Sequence, residues 1–155
     1  MNEFRDLYQE IILDHNKNPR NFRIMKDANH VSEGRNPLCG DHYTIYLKIE
    51  NGILRDVSFH GSGCAISKAS ASIMTSELIG KRIEDAEKLF QLFHQVVTGS
   101  IKSTDYIDTL GKLAAFGGVA EFPVRVKCAT LSWHAMKSAL HDGRESVSTE
   151  ERDKN

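Results

Sequence analysis

Tyr43-Thr44-Ile45-Tyr46-Leu47-Lys48-Ile49-Glu50-Asn51-Gly52-Ile53-Leu54-Arg55-Asp56-Val57-Ser58-Phe59-His60 is the stretch that decides the fold. Tyr43, Ile45, Leu47 and Ile49 alternate with Thr44, Tyr46, Lys48 and Glu50, the two-residue period of a strand with one buried face. Asn51-Gly52 suits a two-residue hairpin turn, whose central residues both need positive φ. The return run reads as a strand with Ile53, Arg55, Val57 and Phe59 on one face and Leu54, Asp56, Ser58 and His60 on the other. It closes at Gly61-Ser62-Gly63-Cys64.

Downstream the period changes to that of helices. Residues 65 to 79 are rich in Ala and Ser, which lets a neighbouring element approach closely, and Gly80 is a fitting C-terminal stop. Ile83, Ala86, Leu89, Phe90, Phe93, Val96 and Val97 form one stripe, ended by Gly99. A third helix is expected from Ser103 or Thr104 as N-cap to Gly117-Gly118, with Ile107, Leu110, Leu113 and Ala114 inward. A fourth starts at Pro123, carries Val124, Cys128, Leu131 and Ala135 on one face, and ends near His141.

Upstream, Phe4, Leu7, Tyr8, Ile11 and Ile12 mark a helix ending near Asp14 and His15, broken by Asn18-Pro19-Arg20-Asn21. Residues 22 to 41 read as extended chain or loop. Strands followed by helices give an α+β fold with an antiparallel sheet. One domain over residues 1–141 is expected, with a polar, disordered tail over 142–155.

The composition excludes several functions. Twenty basic against 21 acidic residues give a net charge of −1, far from the basic excess of a nucleic-acid binder. No apolar run approaches a membrane span, and Met1-Asn2-Glu3-Phe4-Arg5-Asp6 is too acidic for a signal peptide, so a cytoplasmic protein is expected. Three cysteines in a reducing compartment are no disulfide framework, and the odd number leaves at least one thiol free or bound to something else.

Cys39 precedes the first hairpin strand and Cys64 follows the second, so the hairpin brings the two loops to the same end. Gly40 separates Cys39 from Asp41 on a turn, and the mouth of a helix favours Cys64 as thiolate. Thiolates with a carboxylate suit zinc or iron–sulfur chemistry, against the alternative of three thiols buried as small apolar residues. Spacing does not place Cys128 beside the other two. Arg125 and Lys127 either offset the charge of such a site or lie on a solvated helix face.

Other patterns are weaker. Gly61-Ser62-Gly63 lacks the third glycine of a dinucleotide fingerprint, which Ile66 displaces, and it follows a hairpin rather than a βαβ unit. The histidines form no metalloprotease or deaminase signature. Asp14-His15 reads as a catalytic pair or, in preference, as helix capping.

Asn36-Pro37-Leu38-Cys39-Gly40-Asp41, Gly61-Ser62-Gly63-Cys64-Ala65-Ile66-Ser67 and Val126-Lys127-Cys128-Ala129-Thr130-Leu131-Ser132-Trp133 resemble, in order, the three signature blocks of the SufU proteins, within the IscU/NifU-like group. The likeness extends to Asp14-His15 and Asn18-Pro19-Arg20-Asn21 and covers roughly residues 4 to 141. It implies the SufE/NifU-type fold, in which a small antiparallel sheet, the hairpin plus a further strand, packs against several helices. It implies zinc held by Cys39, Asp41, Cys64 and Cys128. It implies a zinc-dependent sulfurtransferase of iron–sulfur cluster assembly that takes persulfide sulfur from a SufS-type cysteine desulfurase and relays it to a SufBCD-type scaffold. Cys39 is then the sulfur acceptor, on a turn able to move off the metal, and Arg125 steadies the persulfide.

Lys127 stands where scaffold members of the group carry His, and the segment between Cys64 and Cys128 is longer than theirs. Both features point to sulfur relay. The competing readings are an IscU-type scaffold building a [2Fe–2S] cluster on the same residues, a purely structural zinc module, and a zinc hydrolase, for which no open coordination position with a general base is evident.

Overall fold

The computed structural model describes residues 2–141 and 146–148. In chain order the elements are α1 (Asn2–Lys17), β1 (His30–Asn36), β2 (Asp41–Glu50), β3 (Ile53–Ser62), α2 (Ala65–Leu78), α3 (Ile83–Val97), the single turn α4 (Ile107–Leu110), α5 (Pro123–His141) and β4 (Ser146–Ser148). The sheet runs β3-β2-β1-β4. Its first three strands are antiparallel, and β4 joins β1 in parallel. The expected α+β architecture is what the chain adopts, and the further strand is β1, inside the stretch read as extended or loop.

The hairpin turns at Asn51 and Gly52, with φ of 54° and 75°, so Glu50 pairs with Ile53. Tyr43, Ile45 and Leu47 of β2 are fully buried, as the alternation requires. The return strand departs from it. Its core residues are Leu54, Val57 and Phe59, while Ile53 is half-buried and Arg55 exposed. Lys48 pairs with Asp56 but Ile49 pairs with Leu54, so Arg55 bulges out of register. One extra residue reverses the phase of everything between the bulge and the turn.

α5 is the central element, with Cys128 to Met136 buried without interruption. It crosses β1 so closely that a Cβ on Gly34 would stand 3.0 Å from Leu131. Against α2 the contact is made by small residues: Ser70 Oγ donates to the Ala129 carbonyl at 2.6 Å and accepts the Trp133 indole N–H at 3.2 Å. Trp133 stacks on Phe93 of α3, centroids 4.9 Å apart. The stripe expected on α3 is inward except at Ile83, which is only partly covered.

Two further expectations need correction. The third helix is not continuous: Ser103–Tyr106, Gly111–Phe116 and Val119–Glu121 are 3-10 turns, with α4 the single α-helical turn. Gly111, at φ 55°, leaves the helical region and breaks the path, although Leu110, Leu113 and Ala114 still face the core. Within the tail expected to be disordered, Ser146–Ser148 form β4. The outer edge of β1 offers unpaired N–H and C=O groups to the chain returning from α5. The remaining tail residues, and the side chains of Phe4 and Leu7, lie outside the described residues. No helix among the described residues is long and apolar enough to cross a membrane.

Candidate metal centre

β2 begins at Asp41 and β3 ends at Ser62, and His42 pairs with Ser62 across the hairpin. This register alone sets the 39–41 turn against the loop carrying Cys64. Asp41 is 2% exposed and points inward. Its Oδ1 accepts the Cys64 backbone N–H at 2.8 Å and the Ser67 hydroxyl at 3.1 Å, and its Oδ2 accepts the Asn36 amide at 3.2 Å. A charged oxygen pair buried in this way is held by three donors rather than left unpaired.

Gly63 makes the approach possible. A Cβ there would lie 2.5 Å from Asp41 Oδ1, 2.6 Å from Ser67 Oγ and 2.8 Å from the Tyr43 hydroxyl. Cys64 is the N-cap of α2, its sulfur accepting the Ser67 N–H at 3.4 Å.

The first turns of α5 deliver Cys128 from the opposite side. Its Sγ donates to that of Cys39 at 3.4 Å. The ligand atoms of Cys39, Asp41 and Cys128 all fall within 4.8 Å of one another. The sulfur of Cys64 is turned toward Ser67 and is not part of that closest trio, although its backbone N–H holds Asp41. All three thiols are free: Cys39 exposed, Cys64 half-buried, Cys128 buried.

The thiols share protons unequally. Cys64 is lowered to about 6 by the neighbouring Cys128 thiol and by the hydrogen bonds from Ser67, against the opposing effect of burial. Cys128 is pushed up by the neighbouring Cys64, by burial and by Cys39. Burial also raises Tyr43, whose hydroxyl lies 3.2 Å from Ser67 Oγ, to about 12.

The site opens into a cleft of about 520 Å³ lined by the three cysteines and by Phe122, Val124 and Arg125. Arg125 is exposed and its guanidinium lies over the Phe122 ring, 5.9 Å from the centroid. Of the candidate residues, then, Cys39, Asp41 and Cys128 meet, Cys64 borders them, and Arg125 lines the mouth.

The donor set fits a metal. Tetrahedral zinc at ~2.3 Å from each sulfur places two sulfurs ~3.8 Å apart, within a few tenths of an ångström of the Cys39–Cys128 separation of 3.4 Å. Three thiols with one carboxylate also suit a cluster.

Residues 7–129 match the NifU-like N terminal domain family. The chain belongs to that family. It is 43% identical over 134 residues to the zinc-dependent sulfurtransferase SufU of Bacillus subtilis, covering 86% of this chain and 89% of that protein. It is 38% identical to the iron–sulfur cluster assembly scaffold protein IscU of Thermotoga maritima, covering 88% and 94%. A solved structure from Fervidobacterium islandicum AW-1, described as a candidate iron–sulfur cluster assembly scaffold protein for the SUF system, superposes with a TM-score of 0.79 at 33% identity, covering 88% and 98%. This member of the family is an iron–sulfur cluster assembly protein of the SufU/IscU type.

Asp14 and His15 are not a catalytic pair in this NifU-like domain. Asp14 pairs with Arg20 at 2.7 Å, and His15 is buried with Nδ1 2.7 Å from Ser72 Oγ, tying α1 to α2. Three residues of the site escaped the sequence reading: Asn36, Ser67 and Tyr43. Ser67 follows Cys64 by the three residues of an N-cap bond, a usable signal. Asn36 opens the first signature block. Nothing local marks Tyr43, an ordinary core position of its strand.

Proposed function

We propose that this protein accepts sulfur on Cys39 from the cysteine persulfide of a SufS-type desulfurase and relays it to a SufBCD-type scaffold. In this reading Cys39, Asp41, Cys64 and Cys128 hold a zinc ion. The supporting observation is the meeting of Cys39, Asp41 and Cys128 within 4.8 Å in an open cleft that Cys64 also lines. When bound, zinc keeps these thiols deprotonated at neutral pH.

Cys39 is the exposed thiol of the three. Its thiolate attacks the outer sulfur of the donor persulfide. A new S–S bond forms on Cys39 as the donor's S–S bond breaks and the desulfurase thiolate departs, with no net oxidation. Arg125 at the mouth supplies positive charge beside the arriving anionic sulfur. Phe122 and Val124, each more than half exposed, line the cleft, and Leu38, also exposed, precedes Cys39, an apolar surround suited to a protein partner.

The experiment is metal analysis of the purified chain, joined to mass spectrometry after mixing with desulfurase and cysteine. Zinc at one per chain and a persulfide on Cys39 are expected. Undiminished desulfurase stimulation by Cys39→Ala would overturn the assignment. The 38% identity to the Thermotoga IscU favours a second reading, a scaffold for a [2Fe–2S] cluster on the same residues. A brown protein after anaerobic reconstitution that keeps its cluster through gel filtration would decide for it.

A further inference from the structure

We infer that Asn36 is a positioning residue that sorts the three thiols, pinning Cys128 and Asp41 so that Cys39 remains the reactive one. This rests on the proposed zinc site. Asn36 is fully buried at the end of β1, where a polar side chain needs a partner for each polar group. Its amide nitrogen has two N–H groups. It donates to Asp41 Oδ2 at 3.2 Å and to Cys128 Sγ at 3.5 Å. Its backbone carbonyl accepts the backbone N–H of Cys39 at 3.2 Å, closing the turn that carries that residue. One side chain and its own peptide thus touch three of the four candidate ligands.

The sulfurs differ in a way that follows from these donors. Cys128 receives an N–H from Asn36, and Cys64 receives one from the Ser67 backbone. Among the described residues no N–H donates to Cys39 Sγ, whose sulfur partner is Cys128. An N–H donor withdraws charge from a thiolate, favouring the anion while making it a poorer nucleophile. Two sulfurs are held this way and are less accessible, while the third is exposed and takes no N–H among the described residues. The carboxylate is sorted as well. Asp41 Oδ1 already takes two donors, so Oδ2, which shares the Asn36 amide, is the oxygen with a lone pair left for a cation.

The test uses the full chain loaded with zinc. Iodoacetamide labelling of each cysteine is followed by peptide mass spectrometry, and zinc affinity is measured by chelator competition. Cys39 should label well ahead of Cys128 in the wild type. Asn36→Ala should narrow that ratio roughly tenfold and weaken zinc binding roughly 10- to 100-fold, the range for loss of an outer-shell partner. Asn36→Ser, whose hydroxyl is too short to reach Cys128, should behave alike if the alanine variant does not fold. An unchanged labelling ratio and affinity in a folded, zinc-loaded variant would overturn the inference, because a merely structural Asn36 would move only the unfolding temperature. Failure of both variants to fold would also overturn it, assigning Asn36 to the fold alone. A wild-type chain that takes up no zinc would instead sink the metal reading, and this inference with it.

Discussion

The carboxylate of Asp41 accepts the backbone N–H of Cys64 at 2.8 Å, joining the two ends of the hairpin by a bond from a short side chain at that register position. The same oxygen takes the Ser67 hydroxyl, which in turn lies against the Tyr43 hydroxyl. The loop carrying Cys64 is therefore anchored to β2 before any cation is bound.

Replacing Asp41 by Ala should strand two donors, the Cys64 N–H and one N–H of the Asn36 amide, while the Ser67 hydroxyl turns to the Cys64 carbonyl 3.0 Å away. A buried group left without its partner costs about 1–3 kcal/mol. Urea unfolding of the metal-free protein should show a loss of at least that size, and zinc affinity should fall. An Asp41→Ala protein as stable as wild type would mean that the anchor is redundant.

Gly63→Ala places a methyl group 2.5 Å from Asp41 Oδ1 and 2.6 Å from Ser67 Oγ, a contact no real Cβ shows. The loop must shift, at a cost of about 1–3 kcal/mol typical of overpacking. Thermal melting checks the stability, and metal analysis checks the site, which should lose zinc although no ligand has changed.

The bulge at Arg55 makes a contrast between neighbouring residues. Leu54→Ala removes a fully buried side chain and should cost about 2–5 kcal/mol. Arg55→Ala, on an exposed side chain, should stay within about 0.5 kcal/mol. Chemical denaturation of both variants settles the phase. A large loss at Arg55 with none at Leu54 would restore the unbulged alternation.

His15 makes stability fall in acid. Burial, with Arg20 and Lys112 adding to it, holds the imidazole at about 4 against an ordinary 6.5. The folded state thus prefers the neutral ring. The favourable contribution is complete above 6.5 and is lost as pH falls from there toward 4, where the unfolded chain binds the proton first. Urea midpoints of metal-free wild type should drop across this window relative to His15→Gln. Parallel midpoints would show that His15 does not titrate within the fold.

Metal removal should lower stability, since a cation bound by the native chain and absent from the unfolded one adds its binding free energy to the fold. Chelation should reduce the melting temperature, and added zinc should restore it, in wild type but not in Cys128→Ala. An unresponsive wild-type melting curve would argue against a bound metal.

The sequence determined the hairpin, the stripe of α3, the Pro123 start of α5 and the placing of Cys39 and Cys64 at one end of the sheet. Each of these is encoded by residues only a few positions apart: an alternation, a turn dipeptide, a helical repeat. Its three signature blocks also pointed to the family. Spacing does not place Cys128, 64 residues from Cys64; the tertiary structure brings it down beside Cys39 and Asp41. Packing of α5 between β1 and α2 sets that, through small residues whose fit has no local signature. The bulge at Arg55 and the break at Gly111 were hidden for the same reason, because the partner strand and the core, not neighbouring residues, choose which side chain turns inward. Asn36 was visible in its motif, but its two N–H bonds exist only once the strand, the turn and the helix have met.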